Sequence, residues 1–294
     1  MFMQQMVNGF SLGSMYALIA IGYTMVYGVL RLINFAHGDI MMVGGFLGFF
    51  GIAVLELPFG AAVLLAIVGS ALLGMASDRI AYRPLRSAPK ISLLITAIGV
   101  SFFLENAFNV FFGGVPRAFP VPAYLENVVD FVGLTMPISA IIVPIITAFL
   151  LAIILWVLYK TKYGMAIRAL AFDVGTVNLM GIDANRIITL VFGMGSALAA
   201  VGGIFWAVNY PSVEPMMGVL VGLKAFAAAV VGGIGSVGGA VLGGLIIGFT
   251  EVVVIAFFLE LGGYKDAFAF IFLILILLFK PTGILGIDFE KSRF

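Results

Sequence analysis

Long uninterrupted runs of apolar residues, separated by short polar breaks, fill most of the sequence. Stretches such as AAVLLAIVGSALLGMA at 61–76 and AFAFIFLILILLF at 267–279 lack the alternation of apolar and polar positions that a membrane β-strand shows. Because a helix needs about 20 apolar residues to cross the bilayer core, the pattern predicts an all-α, polytopic bundle of about eight transmembrane helices. The helices are predicted near residues 5–30, 39–57, 59–77, 91–112, 137–159, 187–208 and 264–280, with one or two more within 218–260.

The composition agrees with an integral membrane protein. Of the 294 residues, 63% are hydrophobic and 10% are charged, whereas soluble domains are roughly half apolar and about a quarter charged. We interpret residues 1–294 as a single transmembrane domain. The opening MFMQQMVNGF contains no Lys or Arg, so we expect it to begin a membrane helix rather than a signal peptide. The net charge of +1 gives no reason to expect a nucleic-acid partner.

Basic residues are concentrated in three polar segments, and the positive-inside rule places such segments in the cytoplasm. The segment 113–136, between the first two, holds Arg117 against Glu126 and Asp130 and is therefore expected outside. This alternation puts the N-terminus outside and the C-terminus in the cytoplasm. The basic residues of the three segments are Arg79, Arg83, Arg86 and Lys90, then Lys160, Lys162, Arg168 and Arg186, and finally Lys280, Lys291 and Arg293.

Glycine is concentrated in the segment 225–245, which makes this segment a candidate for a re-entrant or broken helix. Irregular backbone survives at membrane depth only where protein or a wet cavity surrounds it. The order of the spans requires 218–260 to begin and end outside, either as two short spans or as a re-entrant segment plus a surface helix. Several glycines have instead the four-residue spacing that lets helices pack closely, namely Gly9 with Gly13, Gly44 with Gly48, Gly235 with Gly239 and Gly243, and Gly244 with Gly248.

The sequence offers few routes to catalysis. No lysine follows a glycine, so the phosphate-binding loop G-x-x-x-x-G-K-[ST] is absent and ATP hydrolysis by that route would require another chain. With one histidine and no cysteine, HExxH and cysteine-type zinc sites are excluded, and neither a metal nor a cofactor is expected. The motif GFSLG at 9–13 matches G-x-S-x-G, and an intramembrane serine hydrolase would use Ser11 with His37. The alternative is that Ser11 hydrogen-bonds its own helix backbone.

Several polar side chains lie within or beside the predicted spans, where such residues usually face a partner or a pathway. Three of them, at 101, 105 and 109, recur every four residues and form one stripe on the fourth helix. Lys224 and Glu251 either line a pathway or form an ion pair between helices. His37 and Asp39 could instead mark the interfacial first turn of the second helix. The candidates for a translocation pathway or gate are Asn34, His37, Asp39, Ser101, Glu105, Asn109, Lys224 and Glu251.

The segment 160–186 is the longest polar interruption of the chain and is predicted to contain a short amphipathic helix. Ile167, Leu170, Val174 and Val177 follow the helical period, and polar residues occupy the other sides. Such a helix is either an anchor on the membrane surface or a surface that a cytosolic partner grips.

The stretch GSMYALIAIGYTMVYGVLRLINFAHGDIMMVGGF at 13–46 closely resembles the opening of permease subunits of branched-chain amino acid ABC importers. YGMAIRALAFDVGTVNLMGID at 163–183, GLKAFAAAVVGGIGSVGGAVLGGLIIGFTE at 222–251 and LLFKPTGILG at 277–286 resemble the same family. The resemblance implies a multi-pass permease of the bacterial inner membrane that moves leucine, isoleucine or valine. It also implies a second homologous permease, two cytosolic ATPase subunits that bind the ATP, and an amino-acid-binding protein outside.

By the same resemblance, the segment 160–186 would be the coupling loop that docks into the ATPase. The sequence departs from the general importer pattern here, because the stretch 168–173 lacks the glutamate of the usual Glu-Ala-Ala triplet. Related permeases carry sugars or nucleosides, so another small solute is the nearest alternative. The residues expected in the coupling loop are Tyr163, Gly164, Arg168, Ala169, Asp173, Leu179, Gly181, Ile182 and Asp183.

Overall fold

The computed structural model describes residues 2–131 and 134–286 and shows a bundle of apolar helices. Two short strand pairs lie between helices: β1 (Arg117–Ala118) with β4 (Ser212–Val213), and β2 (Val128–Phe131) with β3 (Leu134–Pro137), both antiparallel. The helices are α1 (Phe2–Leu30), α2 (His37–Ala53), α3 (Phe59–Ser77), α4 (Lys90–Phe112), α5 (Ala123–Glu126), α6 (Ile138–Lys160), α7 (Lys162–Phe172), α8 (Val174–Leu179), α9 (Ala184–Asn209), α10 (Met217–Gly232), α11 (Val237–Phe257) and α12 (Lys265–Phe279).

The all-α, polytopic class is confirmed. Within the described residues, seven helices are long and apolar enough to cross a membrane, and α2 and α10 are shorter apolar helices. The helix α3 continues through one π-helical and one 3₁₀ turn to Leu85, and a 3₁₀ turn at Leu259–Tyr264 precedes α12. Predicted and observed boundaries agree within a few residues, and α2 shows the largest difference because it ends at Ala53 rather than near 57.

The glycine-rich segment contains two antiparallel helices, α10 and α11, joined by a tight turn at residues 233–236. Gly233 and Gly235 have φ values of 118° and 94°, which L side chains rarely adopt. A Cβ at Gly239 would lie 3.0 Å from the carbonyl carbon of Gly232, so the two helices touch through their backbones. The segment thus folds as two helices broken at residues 233–236, of which α11 is long enough to span a membrane and α10 is shorter.

The predicted packing role of glycine is also confirmed between the first and eleventh helices. A Cβ at Gly13 would lie 2.8 Å from the Cα of Leu245, and one at Gly244 would lie 2.7 Å from the Cα of Ala17. Neither position has room for a side chain, and the small residues therefore set the close approach of α1 and α11.

The basic segments share one end of the bundle, which we call the basic end. Arg31 donates to the carbonyl of Ala171 at 2.8 Å, and Arg86 hydrogen-bonds the side chain of Asn185. The turn at 233–236 lies at the same end, since a Cβ at Gly28 would be 3.9 Å from the Cα of Gly235. Within the described residues, the basic segments thus lie at one end, as the charge pattern predicted. Lys291 and Arg293 lie outside the described residues. The strand pairs and α5 form the opposite end, which we call the strand end.

Helices differ strongly in burial. Most residues of the spans α1 and α9 are buried, whereas 22% are buried in those of α3, α4 and α6 and 6% in that of α12. The bundle therefore has a protein-surrounded centre, and its peripheral helices face lipid or another chain.

Candidate translocation pathway and coupling surface

The second helix begins in the interior of the bundle rather than at its surface. The imidazole of His37 lies against Gly22 of α1, where an added Cβ would be 2.6 Å from the ring and 2.9 Å from the carbonyl oxygen of Gly195 in α9. At 1.5 Å per residue, Gly22 is about 12 Å from the basic end of α1, and Gly195 is about 16 Å from that of α9. The core of a bilayer is about 30 Å thick, so His37 lies near its middle.

Residues 31–36 form the irregular backbone that returns the chain from the basic end to this depth. Arg31 adopts a φ of 51°, which turns the chain after α1. Of the two alternatives for His37, the interior position is the one that the structure favours, because the side chain is 1% exposed and packs between α1 and α9. Asp39 does lie in the first turn of α2, as predicted.

The N-terminal part of α10 contacts the start of α2. A Cβ at Gly222 would lie 2.7 Å from the Cα of Gly38, so the first turns of α2 and α10 are in backbone contact. From there α10 runs to the basic end and α2 runs to the strand end. Two short helices thus pass each other by their N-terminal turns inside the bundle, and the first-turn N–H groups of a helix carry partial positive charge.

A chain of polar side chains connects this crossing to the fourth helix. Ser101 Oγ donates to Asp39 Oδ2 at 2.5 Å and lies 3.3 Å from Glu105 Oε1. Tyr82 donates to Asn34 Oδ1 at 2.6 Å. Asp39 Oδ1 and Asn34 Nδ2 are buried and have no hydrogen-bond partner among the described residues. The structure therefore brings four of the predicted pathway residues, Asn34, Asp39, Ser101 and Glu105, together with His37, to one region of the bundle interior.

A cavity of about 430 Å³ opens beside Glu105. Asn106 and Asn109 of α4 and Glu214, just before α10, also line it. Asn106 and Asn109 are exposed on a helix long enough to span the membrane, and exposed amides are unfavourable against lipid tails. This face of α4 is therefore better suited to a polar pathway or to another protein chain than to lipid.

Lys224 and Glu251 form the ion pair between helices that the sequence analysis offered as one alternative. Lys224 Nζ lies 3.0 Å from Glu251 Oε2 and donates to the Tyr16 hydroxyl at 2.9 Å, and Tyr16 donates to the same carboxylate at 2.7 Å. Asp266 Oδ1 is 2.5 Å from Nζ, although outside hydrogen-bonding geometry. Lys265 adds a second cation 3.5 Å from Glu251. The network is neutral and joins α1, α10, α11 and α12.

This ion-pair network lines a second cavity, of about 300 Å³. Trp206 and Tyr210 form part of its wall. Burial, followed by the carboxylates of Glu251 and Asp266, raises the pKa of Tyr210, so its hydroxyl remains protonated. The cavity combines ionic groups, aromatic rings and a neutral hydroxyl, and the charges of Lys224, Glu251, Lys265 and Asp266 are already paired with one another.

The serine hydrolase alternative does not fit the structure. Ser11 and Gly22 are about 16 Å apart along α1, and His37 lies against Gly22. A serine and its general base must be within hydrogen-bond reach of each other. Ser11 Oγ has no hydrogen-bond partner among the described residues, so the expected bond to its own helix backbone is not found either.

The polar segment 160–186 forms two short helices at the basic end. Thr161 caps α7 by accepting from the N–H of Gly164 at 3.1 Å, and Asp173 caps α8 by accepting from Gly175 at 2.8 Å. Ile167, Leu170 and Val177 are buried as predicted. Val174 is 40% exposed, since it follows the chain break between the two helices and does not continue the face of α7.

Exposed apolar side chains cover the outer surface of α7 and α8. Met165 is 64% exposed, Leu179 is 89% exposed and Met180 is 72% exposed. We call Tyr163, Met165, Leu179 and Met180 the α7–α8 surface. Large exposed apolar side chains that lie close together mark sites of protein or membrane contact.

The predicted coupling residues have different environments. Gly164 is buried with no room for a Cβ against α6, and Gly181 has a φ of 81°. Asp183 caps α9 through the N–H groups of Asn185 and Arg186. Ala169 and Ile182 are half-buried. Arg168 turns toward α6, with its guanidinium 5.0 Å from the ring centre of Tyr159. The residues exposed for a partner therefore include both charged and apolar ones, and the sequence analysis did not include Met165 or Met180.

Comparison with known proteins decides the family. Residues 5–277 match the family described as branched-chain amino acid transport system / permease component. The chain belongs to this family. It is 42% identical to the high-affinity branched-chain amino acid transport system permease protein BraD of Pseudomonas aeruginosa, over 97% of this chain and 96% of that protein. It is also 42% identical to the corresponding protein LivH of Escherichia coli, with the same shares covered.

A more distant relative is named for a different substrate. The ribose import permease protein RbsC of Haemophilus influenzae is 29% identical over 80% of this chain and 72% of that protein. Membership in the permease family makes the chain a transport component of a multi-pass bacterial membrane system and not an enzyme. The family assignment and the full-length match agree with the resemblance found in four separate stretches of sequence.

Proposed function

We propose that the chain is the transmembrane permease subunit of an ATP-driven importer that moves leucine, isoleucine or valine across the bacterial inner membrane. The observation that carries the proposal is the 42% identity to BraD and LivH over nearly the whole of each chain. The ribose permease is less similar and matches a smaller share of both chains. The nearest alternative is a sugar or nucleoside permease. An uptake experiment must therefore compare an amino acid with a sugar.

We propose that the basic end faces the cytoplasm and that the N-terminus lies outside. The clustering of Arg31, residues 78–90 and α7 at one end supports this orientation through the positive-inside rule. ATP is hydrolysed by two separate cytosolic subunits, since the sequence has no phosphate-binding loop. A second homologous permease completes the membrane part, and an amino-acid-binding protein delivers substrate at the strand end.

The α7–α8 surface is the proposed site of energy coupling. Its exposed apolar side chains suit a protein groove at the cytoplasmic face, while the buried face of the same helices packs on the bundle. A displacement of this surface would be transmitted directly to α1, because α7 contacts α1 and Arg31 donates a hydrogen bond to the carbonyl of Ala171. Met165, Leu179 and Met180 would thus add apolar contact to the exposed charges of the same segment.

The proposed pathway for the solute runs along α4 beside the crossing of α2 and α10. Glu105 and Asp39 offer carboxylates to the ammonium group of an amino acid, and the first-turn N–H groups of the two short helices offer partial positive charge to its carboxylate. The exposure of Asn106 and Asn109 supports a route at the surface of the chain. A second permease would close it from the other side.

Co-purification tests the assembly. The tagged chain is extracted from its native membrane in mild detergent, and the proteins that accompany it are identified by mass spectrometry. We expect two copies of an ATPase and a second permease. A Met165→Asp plus Leu179→Asp variant should lose the ATPase and retain the permease, whereas Tyr124→Asp at the strand end should retain both. Recovery of the ATPase with the double variant would contradict the coupling assignment.

Uptake into cells that lack their own transporters tests the substrate and the pathway. We expect uptake of labelled leucine and little uptake of labelled ribose. The Glu105→Gln variant should reduce leucine uptake about tenfold at equal protein level, the loss of about one charge-assisted interaction. Unchanged uptake would remove Glu105 from the pathway, and preferential uptake of ribose would replace the amino acid substrate.

A further inference from the structure

A cavity of about 320 Å³ lies at the basic end, outside the proposed pathway. Helices α6 and α11 flank α1 there, and α7 covers the cavity from the end of the bundle. Gly28 of α1, Tyr159 of α6 and Gly238 of α11 belong to the terminal turns of their helices. The cavity therefore lies at the depth where the hydrocarbon core meets the lipid headgroups.

The charged side chain of the cavity and the first turn of α11 favour an anion. Arg168 is the charged residue among the described residues that line it. Val237 and Gly238 of the first turn of α11 form another part of the wall, and first-turn N–H groups have no partner within their own helix. The hydroxyl of Ser236 caps the next N–H, that of Gly239, at 3.1 Å.

An unpartnered hydroxyl lies deeper in the same cavity. Thr24 is 1% exposed and lines the cavity wall, and its Oγ1 has no hydrogen-bond partner among the described residues. A buried hydroxyl without a partner is unfavourable, so a ligand that accepts its hydrogen bond would be stabilised. Asp173, which follows the cavity wall in sequence, directs its carboxylate to Gly175 and Thr176.

The rest of the wall is apolar. Leu155 and Leu158 of α6 and Val29 of α1 supply aliphatic surface, and the exposed rings of Tyr159 and Phe172 stand at the rim. Trp156 is 61% exposed on the same part of α6, and exposed tryptophan and tyrosine are typical of the membrane interface. An occupant would need a negative headgroup joined to a hydrophobic chain.

We propose that this cavity binds an anionic phospholipid of the inner leaflet, with its phosphate between Arg168, the first turn of α11 and the Thr24 hydroxyl. The acyl chains lie along Leu155 and the exposed side of α6. Because α7 forms the cover of the cavity, the bound lipid fixes the position of the coupling helix relative to α1. The binding itself does not depend on which solute is transported.

The test is lipid retention by the purified protein, together with whichever partner chains co-purify. Native mass spectrometry compares added phosphatidylglycerol with zwitterionic phosphatidylethanolamine, and inorganic phosphate is added as a competitor. We expect phosphatidylglycerol to be retained about tenfold more strongly, and Arg168→Gln to remove that preference, as expected for one charge-assisted hydrogen bond. Thr24→Val should weaken retention and keep the preference for the anionic lipid.

Two further variants keep the test decisive. Gly238→Leu places a side chain where a Cβ meets nothing within 4 Å and should exclude lipid by filling the cavity. Arg79→Gln removes an exposed charge at the same end, away from the cavity, and should leave retention unchanged. Equal retention of both lipids, an equal loss in Arg79→Gln, or retention by Gly238→Leu would overturn the proposal. Displacement of the lipid by millimolar phosphate would show a site for free phosphate instead.

Discussion

Individual glycines decide where the polar centre of this molecule can form. Gly22 has no room for a Cβ because His37 and the carbonyl of Gly195 occupy the space. The imidazole therefore fits between α1 and α9 only because a side chain is missing from α1. Sequence analysis identified several glycines through their four-residue spacing, but Gly22 does not belong to such a pair and was not recognised.

The Gly22→Ala variant should lower the stability of the folded chain by about 1–3 kcal/mol, the usual cost of overpacking a filled interior. The melting temperature in detergent, read by size-exclusion chromatography after heating, measures the change. Gly99→Ala on α4 is the matched control, since a Cβ there meets nothing within 4 Å. A shift of equal size in both variants would show that Gly22 is not under special constraint.

Lys224 is the residue whose loss should be most harmful, because Glu251 and Asp266 would remain inside the bundle without it. Breaking a buried pair by removing one partner typically costs about 3–5 kcal/mol. We expect Lys224→Met and Glu251→Gln each to reduce the yield of folded protein sharply. The decrease in melting temperature of the double variant should be smaller than the sum of the decreases in the two single variants. Strictly additive decreases would argue against a direct pair.

At the scale of helices, hydrophobic periodicity was sufficient to locate most elements. Runs of about twenty apolar residues predicted α1, α3, α4, α6 and α9 within a few residues. The glycine-rich segment is broken at residues 233–236, within the predicted range, whereas the second irregular stretch, residues 31–36, was not predicted. In the sequence, residues 31–36 look like a polar link between two spans. Only the residues that they contact in the folded chain show that this link returns into the interior of the bundle.

The same limit applies to the site. The stripe on α4 was predictable from spacing because its members belong to one helix. Its connection to Asp39, 62 positions earlier, depends on how α2 and α4 pack, and no local pattern encodes that. Tyr82 was missed for the same reason, since its partner Asn34 is 48 positions away.

The meeting of α1 with the α10–α11 turn can be tested by a disulfide, because the chain has no cysteine of its own. Gly28→Cys with Gly235→Cys should crosslink on mild oxidation, since a Cβ at Gly28 lies 3.9 Å from the Cα of Gly235. Loss of labelling by a thiol-reactive polyethylene glycol reports the bond. Gly28→Cys with Gly60→Cys, at opposite ends, is the negative control, and crosslinking of that pair would contradict the fold.

The whole molecule has a clear polarity, with basic side chains at one end and the strand pairs at the other. This polarity supports the proposed orientation, which can be checked with single cysteines. In intact cells, a membrane-impermeant maleimide should label Glu126→Cys but not Ser87→Cys, both of which are exposed in the structure. Permeabilised cells should give labelling of both. The reverse pattern would place the basic end outside.

The close contact of α1 with α11 also determines when the protein can fold during its synthesis. The Tyr16 hydroxyl bonds to Glu251, 235 positions later in the chain. At translation rates of about 5–20 residues per second, α1 waits in the bilayer for about 10 to 50 seconds before its partner emerges. During that interval its small, closely packing surface is open to lipid and to other nascent helices. Chains that terminate before α11 would never bury this surface of α1. We expect such chains to be degraded by membrane proteases.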